Sequence, residues 1–163
     1  MKFTIRAGQH YSDGWVYRCL SALQLSREST RLLLFEEECL YRFDGADQLD
    51  FNKLFGFSNG LDHHRYSARF GWRSTLSGKI LLSAYCYIDG QRVIEEIGEV
   101  SPLQPCWATI RDRGFAYDFR LELGSETWTR SVRKEQAWRP GVQLWPYFGG
   151  NRTAPHKMVI WLC

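Results

Sequence analysis

The sequence predicts a single all-β domain over residues 1–163, with little helix, and three observations carry that reading. Short segments in which apolar and polar residues alternate with period two recur along the chain, as they do where one face of a strand is buried. Gly, Asn and Asp punctuate them at intervals of roughly 8–12 residues, the rhythm of a sandwich or barrel. Asp89-Gly90 joins two β-rich arms, a pair suited to the positive φ angles of a tight hairpin turn. A length of 163 residues, 44% hydrophobic and 24% charged, is ordinary for one globular domain and excludes general disorder. About 70% of the extended chain's surface is buried at this size, enough for a two-layer core.

In order along the chain, Phe3 and Ile5 alternate with Lys2, Thr4 and Arg6 in an opening strand. Residues 15–30 place Val16, Cys19, Leu20 and Leu23 at helical spacing, but Ser and Thr crowd the end, so a short helix and a strand pair both remain open. Leu32 to Phe35 is an apolar run of strand length. In the Gly-rich stretch 50–61, Asp50 is expected to cap a single helical turn. Residues 67–74 put Ala68, Phe70 and Trp72 on one face and Ser67, Arg69, Gly71 and Arg73 on the other. The hairpin spanning 79–100 is the clearest in the chain, and 106–123 repeats the device with Asp112 to Gly114 as its turn. Residues 156–163 end the chain as an apolar strand.

Composition also bounds the partners. The balance of 21 basic and 18 acidic residues, +3 overall, is too small to announce a nucleic-acid binder. No run approaches the roughly 20 apolar residues that cross a bilayer as a helix, so no membrane partner is expected. Arg6 and His10 interrupt the stretch that a secretory signal would keep apolar, and a cytoplasmic location is expected. Cys19, Cys39, Cys86, Cys106 and Cys163 are odd in number and lack CxxC spacing, which argues for free thiols in a reducing compartment. No cofactor is expected, and no metal site.

Arginine is the distinctive feature, with 16 of the 21 basic residues. Its planar fork suits carboxylates, phosphates and aromatic faces. Arg65, Arg69 and Arg73 share one strand face, where they repel unless acidic side chains or an anion stand opposite. Cross-strand pairing with Glu or Asp is the ordinary solution; a groove for an acidic ligand is the other. Tyr85 and Tyr87 face away from the apolar row Ile80, Leu82, Ala84, Cys86 and Ile88. If this strand pairs with 67–73, these tyrosines and arginines form one surface that can both stack and hydrogen-bond, as sugar rings require. His64, beside Arg65, joins this set as a candidate ligand contact or general acid/base. His63 and His64 lie in a loop expected to enter a strand, where adjacent residues face opposite ways, and so make a poor metal pair by themselves. Asp44, Asp47, Asp50 and Asn52 gather hard oxygen donors, but not in the register of a calcium loop, and a turn is the expected structure.

The closing LWPYFGGNRTAPHKMVIWL (144–162), with DQLDFNKLFGFSNGLDHHRYSARFGWR (47–73) and LSAYCYIDGQR (82–92), resembles the concanavalin A-like lectin/glucanase superfamily and its uncharacterised bacterial single-domain members. The resemblance implies an antiparallel β-sandwich of jelly-roll type that receives ligands on its concave sheet. Glucanases of that superfamily use an ExDxxE strand, and Glu36, Glu37 and Glu38 are consecutive instead. Its alginate lyases use an Arg-rich, a Gln-x-His and a Tyr-rich strand. Arg65, Arg69 and Arg73 loosely match the first and Tyr147 the last, while no Gln-x-His segment is present.

The leading expectation is therefore non-catalytic binding of a carbohydrate, neutral or anionic, through Arg65, Arg69, Arg73, Tyr85, Tyr87 and His64. A protein-interaction or self-assembly module is the alternative, with homo-oligomers in view. A polysaccharide lyase-like enzyme with a Tyr or His base is the third reading.

Overall fold

The computed structural model describes residues 1–13 and 23–163. Among them twelve strands are built: β1 Lys2–Ile5, β2 Leu23–Gln24, β3 Glu28–Phe35, β4 Asn52–Ser58, β5 Tyr66–Ser74, β6 Ile80–Ile88, β7 Gln91–Val100, β8 Cys106–Asp112, β9 Ala116–Leu123, β10 Glu126–Arg133, β11 Gly141–Leu144 and β12 Met158–Leu162. Two short 3-10 turns, Glu37–Cys39 and Gly45–Leu49, are the only helical pieces among the described residues. The strands form two antiparallel six-stranded sheets, ordered β1-β12-β3-β8-β9-β10 and β2-β11-β4-β5-β6-β7. The chain passes between the sheets repeatedly, giving an antiparallel β-sandwich of jelly-roll type, as the sequence predicts.

The period-two pattern explains the packing. Ala68, Phe70 and Trp72 of β5, with Ile80, Leu82, Ala84 and Cys86 of β6, are fully enclosed. They face Leu33 and Phe35 of β3, Ala108 and Ile110 of β8, and Phe119 and Leu121 of β9 from the other sheet. Rings interlock across the gap, Phe70 meeting Phe119 edge-on at 5.3 Å and Phe35 tilting on Trp72 at 5.3 Å. Both predicted hairpins form. Asp89 and Gly90 take φ of 47° and 80° between β6 and β7. Between β8 and β9, Asp112 Oδ1 accepts the Gly114 amide at 2.7 Å.

Two expectations are corrected. The helical turn at 50–61 is absent, because Asn52–Ser58 is strand β4; Leu54, Phe55 and Phe57 bury their side chains there. Its pairing with β5 shifts register between Lys53 and Gly56, a bulge that hides the two-residue period from the sequence. Asp50 instead closes the preceding 3-10 turn at its C-terminal end. In the 15–30 segment, residues 23–24 and 28–30 are strand and 25–27 link them, while 15–22 lie outside the described residues.

Candidate binding cleft on the second sheet

Strand β5 does pair with β6, the condition on which the shared surface depended, with Arg69 opposite Tyr85 and Ser67 opposite Tyr87. On the outer face of the sheet these side chains meet a segment from far along the chain, residues 143–150, which leaves β11 and crosses toward β12. Together they border a cleft of about 430 Å³ whose lining includes Lys53, His64, Arg69, Tyr85, Tyr87 and Tyr147.

The crossing segment is tied down by residues of β4 and β5. Lys53 and Tyr147 exchange both backbone hydrogen bonds, at 2.8 and 2.9 Å. Asn52 Oδ1 accepts the Gly149 amide at 2.6 Å, and Lys53 Nζ donates to the Gly149 carbonyl at 2.9 Å. Arg69 Nη2 donates to the Trp145 carbonyl and, at 3.4 Å, to that of Leu54. Gly149 turns the chain with φ of 73°, and a β-carbon there would lie 2.0 Å from the Arg152 carbonyl oxygen.

Aromatic rings run in an almost continuous belt around this cleft. His63 and His64 lie 4.1 Å apart, His64 meets Tyr87 at 5.2 Å, and Tyr87 meets Tyr85 at 6.1 Å. The Lys53 ammonium bridges from there, 5.4 Å from the Tyr85 ring and 5.0 Å from that of Tyr147. Tyr147 stacks on His10 at 5.2 Å and receives the edge of Tyr11 at 5.0 Å.

The ionised side chains that line the cleft, Lys53 and Arg69, are both basic. Burial, helped by the charges of Arg69 and Arg92, brings the Lys53 ammonium down to about 8, and the pull of Asp50 only partly opposes this. Burial likewise lowers Arg69, to about 10. Burial and the neighbouring Tyr87 push Tyr85 up to about 12, so its phenol keeps its proton at neutral pH. His63 is shifted down by burial and by His64.

The six residues singled out in the sequence divide. Arg69, Tyr85, Tyr87 and His64 come together in the cleft. Arg65 lies before β5, exposed and 3.4 Å from Asp89, and Arg73 lies at the far end of the strand, 3.1 Å from Glu96 with its guanidinium over the Phe51 ring. Both meet acidic side chains from the neighbouring hairpin, so the shared face does not make a shared site. Lys53, Trp145 and Tyr11 were not singled out by sequence reasoning. Asn52 is turned inward, donating to Tyr41 Oη at 2.9 Å, and Asp47 is held by Arg152 at 2.6 Å. Among the described residues no three His, Cys, Asp or Glu side chains converge as metal ligands. No helix among them is long and apolar enough to cross a membrane.

A larger hollow, about 820 Å³, lies along β8, β9 and β10. Three of its four arginines meet carboxylates, Arg111 that of Glu28, Arg113 that of Asp118 and Arg120 that of Glu122, while Arg130 donates to the Thr129 carbonyl. In the cleft on the second sheet neither Lys53 nor Arg69 makes an ion pair with a described residue.

No family model matches the chain, and no curated protein does. Among solved structures it is similar to a Scytalido-glutamic peptidase bound to a peptide-based transition-state analogue, at 8% identity and a TM-score of 0.43. That match covers 99% of this chain and 62% of the peptidase, so the chain spans less than two thirds of it. It is also similar to the carbohydrate-binding module CBM66 from Bacillus subtilis, at 7% identity and a TM-score of 0.45, covering 98% of this chain and 81% of the module.

Proposed function

We propose that the protein is a non-catalytic binding module whose cleft on the second sheet receives a carbohydrate. The observation that carries the reading is the belt of rings from His63 to Tyr11 interleaved with hydrogen-bond donors. Sugar rings offer apolar C–H faces that stack on aromatics, and hydroxyls that need donors and acceptors nearby. Tyr85, kept protonated by burial, suits donation rather than proton abstraction, which supports binding over a lyase reaction through a tyrosine base. The concanavalin A-like kinship suggested by residues 144–162 belongs to this proposal. So does a reducing, cytoplasmic setting, supported by the free thiols of Cys39, Cys86, Cys106 and Cys163.

A glycan array probed with the pure protein, and with Tyr87→Ala and Tyr11→Ala, tests this. The expected result is retention on a defined set of glycans with losses of about tenfold or more in the variants, the equivalent of roughly 1.4 kcal/mol. Silence across the array would overturn it.

One observation favours a second reading, an assembly module. Trp161 of β12 lies beside Leu34, and Leu32 beside Trp107 of β8, forming an apolar strip on the outer face of the first sheet. Trp107 is 49% and Trp161 37% exposed. A mass that rises with concentration in light scattering would support this use of the strip; a constant monomer mass would remove it.

A further inference from the structure

The two cations that line the cleft, Lys53 and Arg69, take part in no ion pair among the described residues, although nine ion pairs are formed there. Asp50 acts on Lys53 only from beyond ion-pair distance. Residues 14–22 contain neither Asp nor Glu and so hide no carboxylate partner. Lys53 leans on one backbone carbonyl and two tyrosine rings, and Arg69 on two backbone carbonyls with its Nε enclosed and without an acceptor. Carbonyl dipoles and ring faces offset part of the cost of withdrawing a cation from water, and a full negative charge offsets far more. Every other arginine on the β5 face has found a carboxylate: Arg65 has Asp89 and Arg73 has Glu96.

We propose that the cleft takes an acidic saccharide, whose carboxylate or sulfate ester supplies the countercharge that Lys53 and Arg69 lack. The inference rests on the carbohydrate reading above and adds the charge of the ligand. Lys53 is the contact residue, since its ammonium stands among the rings of the belt. Arg69, fastened to the Trp145 and Leu54 carbonyls, acts through its field and by holding the wall in place. Tyr85 and Tyr87 present hydroxyls beside the seat, and Tyr147 and Tyr11 present ring surface.

The test uses matched probes in calorimetric titration of the full chain: trigalacturonate and its methyl triester, and a sulfated galactose trisaccharide and its desulfated form. Each pair differs in charge while keeping its sugar ring. At least one acidic probe is expected to bind about tenfold or more tighter than its neutral twin at low salt, with the gap closing as screening shortens the reach of charge. Which pair shows the gap separates carboxylate from sulfate. Lys53→Met is expected to erase the gap and Lys53→Arg to restore much of it, with melting curves confirming that both variants fold. Equal binding of acid and neutral twins would overturn the countercharge while leaving the carbohydrate reading intact. A gap unchanged in Lys53→Met would overturn the seat. No binding of any of the four would overturn both.

Discussion

Gly56 of β4 lies directly across from Arg69 of β5, so the arginine of the cleft has no side chain beside it on the β4 side, while Tyr85 of β6 stands on the other. A β-carbon on Gly56 would fall 2.0 Å from the Ala68 carbonyl oxygen and 2.6 Å from Arg69 Cα. Both obstacles are backbone, and backbone cannot swing aside as a side-chain tip can. Gly56→Ala is therefore expected to cost about 3 kcal/mol, the upper end of the range for overpacking. A urea midpoint within error of wild type would contradict this.

Arg69 and Arg65 share a strand face and have different jobs. Arg69→Met removes the donor to the Trp145 and Leu54 carbonyls, with an expected loss of about 1–3 kcal/mol. Hydrogen exchange is expected to quicken at the Tyr147 and Gly149 amides. Arg65→Ala breaks only an exposed pair with Asp89, and its midpoint is expected to stay put. The reverse ranking would mean that the wall does not hang on Arg69.

Lys134 and Asp112 form a fully enclosed ion pair, Nζ to Oδ2 2.8 Å, beneath the Tyr117 ring. Asp112 Oδ1 and Lys134 Nζ also bond the Gly114 amide and the Gln136 carbonyl, so the pair closes two loops at one end of the first sheet. Breaking it from one side strands a buried charge. Lys134→Met is expected to cost about 3–5 kcal/mol, and adding Asp112→Asn, which retains the Gly114 bond, to recover part of it. Additive losses in thermal melts would argue against a stranded charge.

Alkali should weaken the fold early. Burial raises Cys39 and Cys106 from 9.0 to about 12, and Tyr41 and Tyr85 from 10.0 to about 12. The unfolded chain sheds these protons first, so their contribution is intact below pH 9 and is lost as pH rises toward 12. Lys53, lowered from 10.5 to about 8, and Arg69, lowered from 12.5 to about 10, gain stability with pH over those intervals, against the four groups above and against Cys86 and Tyr117, which burial also raises. A urea midpoint that falls steadily above about pH 9 is expected, and a flat profile to pH 11 would contradict it.

Much of the fold was legible because local chemistry set it. Asp89-Gly90 and Asp112 to Gly114 mark their turns without help from distant residues, and the β5 and β6 faces follow from alternation alone. The same alternation exposed Arg69, Tyr85 and Tyr87 as neighbours. It could not reveal that Arg65 and Arg73 would be claimed by Asp89 and Glu96, since both acids belong to a hairpin whose register is set in three dimensions. Lys53 stayed hidden behind a bulge that sends Leu54 and Phe55 inward in succession. Tyr147 and Trp145 reach the cleft only because β11 inserts beside β4, a pairing between residues 56–57 and 143–144 that no local pattern announces.

The long outer strands of the two sheets, β7 and β10, lie side by side on one flank, while the opposite edges, β1 and β2, are only four and two residues long. Strand β7 carries Arg92, Glu95, Glu96 and Glu99, and β10 carries Glu126, Arg130 and Arg133. An unfolded or foreign segment that tried to zip onto that flank would have to dehydrate charges of both signs along its whole length. The molecule thus guards its longest open hydrogen-bonding rims against fibre-like growth, and solutions concentrated enough for titration should stay clear.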